Sequence, residues 1–301
     1  MHSILNSLLI FIMMLTLTPL SGAHALRAQD ISGGASQDIL GGAGSEDDRP
    51  TNPPVRSRSQ TPKAKQPRAE PQPKADVSEQ VEDALDEGNV ARDAKNYEAA
   101  EQAYQRAAKL NPKEARAQEG LGNLHFDQRQ YVEAVLAYKK ALALKSDDAR
   151  VYLKLGKAYN RSGQFDQAIE SYEQSIRLKP DLAETYYCMG ITYNLSNQTM
   201  KAIDAYNLAI RYRRDYVEAY TNLGVSYRRM GKFQESIETL KQAITHRPDF
   251  AAAHFQLALS DMAVGNRDAT LEQYRILQTL DPQRAERLNH IISRRGRRAR
   301  P

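Results

Sequence analysis

The chain has 301 residues, 41% hydrophobic and 26% charged, with no tryptophan and one cysteine, Cys188. A single cysteine excludes an intramolecular disulfide framework, so the fold holds by packing alone. The net charge of +5 comes from the ends, because residues 81–282 carry 27 basic and 28 acidic side chains; a neutral body argues against a nucleic-acid partner.

Residues 1–25 contain no Lys, Arg, Asp or Glu, and Ile4–Leu20 reads ILNSLLIFIMMLTLTPL. The run is followed by Ala23-His24-Ala25, an A-x-A site for signal peptidase, so residues 1–25 are expected to be a cleaved signal peptide. The product would then be exported, periplasmic or secreted. The alternative is an uncleaved membrane anchor that holds the chain outside the cytoplasm. Residues 26–80 hold seven of the thirteen prolines and almost no apolar periodicity. That composition buries too little surface to offset its ordering entropy, and predicts a disordered Pro/Gly-rich linker.

From Val81 the sequence aligns in uninterrupted blocks of 34: 81–114, 115–148, 149–182, 183–216, 217–250 and 251–284. Column eight reads Gly88, Gly122, Gly156, Gly190, Gly224, Ala258. Column twenty includes Ala100, Ala134, Ala168 and Ala202, and column twenty-four reads Tyr104, Tyr138, Tyr172, Tyr206, Leu240, Tyr274. Small columns beside a large one predict closely approaching helices with knobs between them. Tyr152, Leu155, Gly156, Tyr159, Ala168, Tyr172 and Pro180 carry the pattern most clearly. On these residues the chain resembles the tetratricopeptide repeat, one antiparallel helix pair per 34 residues. The resemblance implies an all-α, right-handed α-solenoid of six repeats over 81–284, with the outer repeats departing from the pattern at Glu87, Ala258 and Asp261. Residues 285–301 follow as a capping helix, with Leu288, Ile291 and Ile292 at helical spacing, and an Arg-rich tail. Helix A of each repeat is expected to stop near Gly163, Asn197, Gly231 or Gly265, residues that tolerate a left-handed C-cap.

No catalytic constellation emerges from this pattern. Gly156-Lys157 lacks the upstream glycine and the following hydroxyl of a phosphate-binding loop, so Gly156 reads as a packing residue and Lys157 as a solvated one. The histidines lack metal spacing, and His254 occupies the column of the family's tryptophan. Cys188 falls in an apolar helical pattern and reads as a buried hydrophobe. No enzyme activity, cofactor or metal is expected.

The resemblance instead implies a protein or peptide partner held in the concave groove. The carboxylate clamp of some family members would fall on Asn89, Arg150 and Lys154, but Leu85 and Gly120 stand at its other two columns. Columns two, five and nine of helix A are largely polar in the first three repeats, at Glu82, Asn89, Arg116, Glu119, Asn123, Arg150 and Lys157. In the last three they turn apolar, at Tyr187, Ile191, Thr221, Val225, Phe255 and Leu259, edged by Glu184 and Glu218. An exposed apolar stripe predicts docking of an apolar segment with a basic flank. A reading of another class is an anionic polymer or lipid surface bound by RRGRRARP.

Overall fold

The computed structural model describes residues 76–298, with side chains to Arg294. The expected signal peptide, the linker as far as residue 75 and the last three residues lie outside the described residues. Among the described residues no helix is long and apolar enough to cross a membrane.

Those residues form thirteen helices and no strand. Five repeats have an A helix of 13 residues: α3 (Ala115–Asp127), α5 (Ala149–Arg161), α7 (Ala183–Leu195), α9 (Val217–Arg229) and α11 (Ala251–Ala263). In the first repeat it is the longer α1 (Val77–Asp93), which begins four residues ahead of the 34-residue phase. The B helices are α2 (Tyr97–Leu110), α4 (Tyr131–Leu144), α6 (Phe165–Leu178), α8 (Thr199–Tyr212), α10 (Phe233–His246) and α12 (Arg267–Leu280). A final helix, α13 (Pro282–Arg298), starts inside the sixth block. Pro282 suits a first helical position, and Asp281 accepts a hydrogen bond from Arg284 N–H at 3.0 Å.

Each A helix ends the same way. The residue at column fifteen has positive φ in all six repeats: Lys95, Arg129, Gly163, Asn197, Gly231 and Gly265. The next N–H then reaches back to the carbonyl of column eleven, from Asn96 to Ala91 at 2.8 Å through Asn266 to Asp261 at 2.9 Å. That bond satisfies an orphan carbonyl of the helix end, and its recurrence explains why Lys95 and Arg129 tolerate a conformation that usually selects glycine.

The glycine column packs as the pattern implies. A Cβ added at Gly156 would lie 2.4 Å from Cε1 of Tyr172, and one at Gly190 would lie 2.6 Å from Cε1 of Tyr206. Tyr104 is held between two glycines, since Cβ atoms at Gly88 and Gly120 would approach its ring at 2.6 and 2.5 Å. In the sixth repeat, where Ala258 replaces the glycine, Tyr274 is only half-buried. The alanines at 134, 168 and 202 are fully buried against these interfaces.

Candidate partner-binding groove

Columns two, five, nine and twelve are separated by three or four residues, so they share one face of each A helix. Consecutive A helices touch along this face, α7 with α9 and α9 with α11.

In the first three repeats several polar groups of this face are paired within the chain. Arg116 donates to Glu82, one repeat earlier, at 2.9 and 2.5 Å, and also to Glu114. Lys154 donates to Glu119 at 2.7 Å. The tyrosine hydroxyls of the B helices donate to column nine, Tyr104 to Asn89 at 2.8 Å and Tyr138 to Asn123 at 2.9 Å. Two of the three groups that could have formed a carboxylate clamp, Asn89 and Lys154, are thereby occupied.

The apolar stripe of repeats four to six is not an exposed patch. Tyr187 is buried against the rings of Tyr216 and Tyr206, at centroid distances of 4.8 and 6.1 Å, and its hydroxyl accepts from Asn222 Nδ2 at 3.3 Å. Ile191 is buried, and Thr221 is turned onto its own helix, donating to Val217 O at 2.8 Å. Phe255 and Leu259 pack in one cluster with Ala285 and Leu288 of α13, while Arg287 lies over the Phe255 ring at 5.6 Å. Val225 alone is half-buried. The pattern could not reveal this, because it does not show how much of each side chain the next repeat covers.

The two glutamates expected to meet a basic flank are already engaged. Glu184 accepts from Lys157, and Glu218 from Arg247 at 3.1 Å. Lys157 is therefore not a solvated side chain: the carboxylate of the next repeat holds it in a half-buried pair. Cys188 sits beside this pair, and burial pushes its thiol up to about 12. His254 is buried, with Nδ1 against Gln273 Oε1 at 2.7 Å and Nε2 against Pro248 O at 2.8 Å, so it fills the tryptophan column as a packing residue. Among the described residues no group of three or more His, Cys, Asp or Glu is placed to share a metal ion.

Column twelve escaped the sequence reading, although it stands seven residues after column five on the same face. In repeats three to five it reads Asn160, Asn194 and Arg228, and each carries a buried polar atom without a hydrogen-bond partner: Asn160 Oδ1, Asn194 Oδ1 and Arg228 Nε.

Comparison with known proteins agrees with this architecture. Family models described as tetratricopeptide repeat match residues 85–149 and 217–250, and one described as TPR repeat matches 156–196 and 192–231; together they span over half of the chain. No curated protein matches the sequence. Among solved structures, one of MamA is 30% identical with a TM-score of 0.51, covering 55% of this chain and 97% of that one. PilW, described as a widely conserved type IV pilus biogenesis factor, is 16% identical with a TM-score of 0.63, covering 70% and 98%. YrrB, described as a TPR protein with an unusual peptide-binding site, is 21% identical with a TM-score of 0.51, covering 64% and 100%.

Proposed function

Because the chain belongs to the tetratricopeptide repeat family, we propose that it is an exported, non-catalytic adaptor binding a protein or peptide along the face shared by its A helices, within an envelope assembly or secretion complex. The observation that carries the reading is the register. Six A helices repeat every 34 residues without insertion, so columns two, five, nine and twelve form one continuous surface on which side chains of successive repeats can grip one extended segment. Export is supported by the apolar run Ile4–Leu20 and the Ala23-His24-Ala25 site.

The fold-stabilising apolar residues of the stripe are poor targets for a test, because an Asp at Ile191 or Leu259 would unfold the repeat. Val225 is the suitable position. A pull-down from the native host should lose its specific protein with Val225→Asp and keep it with Leu136→Asp, on the outer face of α4, at equal helicity. Equal capture by both variants overturns the groove. N-terminal sequencing of the mature chain should begin just after Ala25; a chain that keeps Met1 or Ile4–Leu20 overturns cleaved export.

A further inference from the structure

Independently of the groove reading, we propose that the basic end of α13 docks the protein electrostatically on a membrane surface that contains anionic phospholipid, through the arginines at 294, 295, 297 and 298.

The first ground is where the packing of α13 stops. Ala285 and Leu288 are buried in one cluster with Phe255, Leu259 and Leu277, and Ile291 and Ile292 pack against it. Arg284 pairs with Asp281, and Arg287 lies over the Phe255 ring at 5.6 Å, so this part of the helix covers the apolar end of repeat six. Among the described residues Ile292 is the last of α13 in that cluster, yet the helix continues to Arg298, about 9 Å farther along its axis. Arg294, at the start of that extension, is exposed. Covering a terminal repeat requires an apolar inner side and a polar outer one, and the extra turns add nothing to either.

Charge is the second. After Glu286 the sequence holds six arginines and no acid. A helix kept polar only for solubility mixes both signs. Here positions 294, 297 and 298, and 295 with 298, stand three or four apart and repel one another in a helix. The negative end of the helix dipole offsets part of that repulsion within the last turn. An anionic surface offsets the rest. Positions 287, 291, 294 and 298 share one face, which therefore runs from the packed cap into the projecting end.

Residue type is the third. Twelve of the 27 basic residues at 81–282 are lysine, whereas all seven after Gln283 are arginine. A guanidinium offers a planar fork that matches two phosphate oxygens and is more weakly hydrated than an ammonium, which favours a phosphate-bearing partner. The sequence pattern left a polymer and a lipid surface open. A polymer strand is followed by cations spaced along a groove, but the solenoid body is neutral. Five arginines gathered between 294 and 300, four of them on a helix end that projects past the solenoid, suit a plane of headgroup phosphates instead.

The test uses the full chain with Ser293→Cys carrying a fluorophore; burial of Cys188, whose thiol is pushed up to about 12, keeps the label specific. Vesicles of phosphatidylcholine, with and without phosphatidylglycerol, carry a nitroxide on the headgroup, so quenching reads contact of α13 itself and not retention by the apolar run Ile4–Leu20. Quenching should appear on the phosphatidylglycerol vesicles, be absent on phosphatidylcholine alone and vanish at ~1 M salt, where the screening length is about 3 Å. Combining Arg294→Gln, Arg295→Gln, Arg297→Gln and Arg298→Gln should raise the lipid needed for half-quenching by about fivefold per residue. Arg177→Gln, Arg211→Gln, Arg214→Gln and Arg275→Gln remove the same charge from exposed positions of the solenoid and should leave quenching intact. Equal quenching on both vesicles, quenching that survives the α13 variant, or an equal loss in the solenoid variant overturns the proposal. Soluble polyphosphate that outcompetes the phosphatidylglycerol vesicles at equal phosphate assigns the arginines to a polymer and overturns it as well. If the α13 variant loses helicity, the salt series on the Ser293→Cys chain decides.

Discussion

Repeats one to three and repeats four to six share one backbone phase but satisfy their polar groups in different ways. In the first half, column nine supplies Asn89 and Asn123 to the tyrosine hydroxyls, and charges pair across neighbouring repeats, as in Glu82 with Arg116 and Glu119 with Lys154. In the second half, column nine becomes Ile191, Val225 and Leu259 and offers no partner. The Tyr206 hydroxyl then accepts from Asn194 instead, and polar side chains move into the seam, where Ser236 and Ser260 meet at 2.8 Å and Ser260 donates to Gln256 O at 3.1 Å. Repeats one and two close these groups on themselves, whereas repeats three to five leave Asn160 Oδ1, the Tyr172 hydroxyl, Asn194 Oδ1 and Arg228 Nε buried without a partner. The contrast separates polar groups that tie neighbouring repeats together from those buried without a partner.

The largest effect that would break this comparison concerns the thiol in the second half. Burial raises Cys188 from 9.0 to about 12, so at pH 9 the folded chain should hold on the order of 500-fold less thiolate than the unfolded one. Because the folded value is the raised one, this group's contribution to stability is intact below pH 9 and is lost as pH climbs towards about 12. Iodoacetamide at pH 9 should label Cys188 rapidly in urea and scarcely at all in the native protein. Comparable native and denatured rates would mean that the seam around α7 is open.

Next in size is the glycine column, which both halves share. Gly190→Leu must displace the Tyr206 ring, which already stands 2.6 Å from where a Cβ would be, and should cost about 3 kcal/mol in urea unfolding. Val225→Leu, on the half-buried side of the next repeat, should stay within about 0.5 kcal/mol. Equal losses would remove the packing role of the column.

The 34-residue period, the helix boundaries and the glycine–tyrosine interlock were legible because each rests on residues close in sequence or on one repeated column. Burial on the A-helix face was not. Tyr187 is covered by Tyr206 and Tyr216 from later elements, and Lys157 meets a carboxylate 27 residues away. Such contacts depend on the angle between successive repeats, which no single column encodes. Lys95 and Arg129 show the same limit at smaller scale: scanning for glycine missed them, whereas their register at column fifteen identifies them.

The pair at the boundary between the halves should give a smaller effect. Lys157 and Glu184 are 29% and 28% exposed, so Lys157→Leu strands a half-buried carboxylate and should cost about 1 kcal/mol, despite the added apolar surface. Glu184→Gln in the same chain should return most of it, because a neutral amide needs no cation. If Lys157→Leu alone stabilises the protein, the ion pair is not what holds α5 to α7 on this face.

The smallest effect tests whether the first half is as self-contained as its pairing implies. Lys154 and Glu119 stand 2.7 Å apart, but at 34% and 25% exposure they remain in contact with water, which weakens their attraction and leaves each side chain able to be solvated alone. Lys154→Ala should therefore cost only about 0.5 kcal/mol at low salt. The loss should shrink towards zero at ~1 M salt, where the screening length falls to about 3 Å. Lys157→Leu should respond less, since its stranded carboxylate is penalised by burial as well as by lost attraction. The paired salt series separates the two halves more cleanly than either midpoint alone. Parallel salt dependence in both variants would show that the boundary pair is an ordinary surface contact, and that the change in polar bookkeeping between the halves begins after α7 instead of at Lys157.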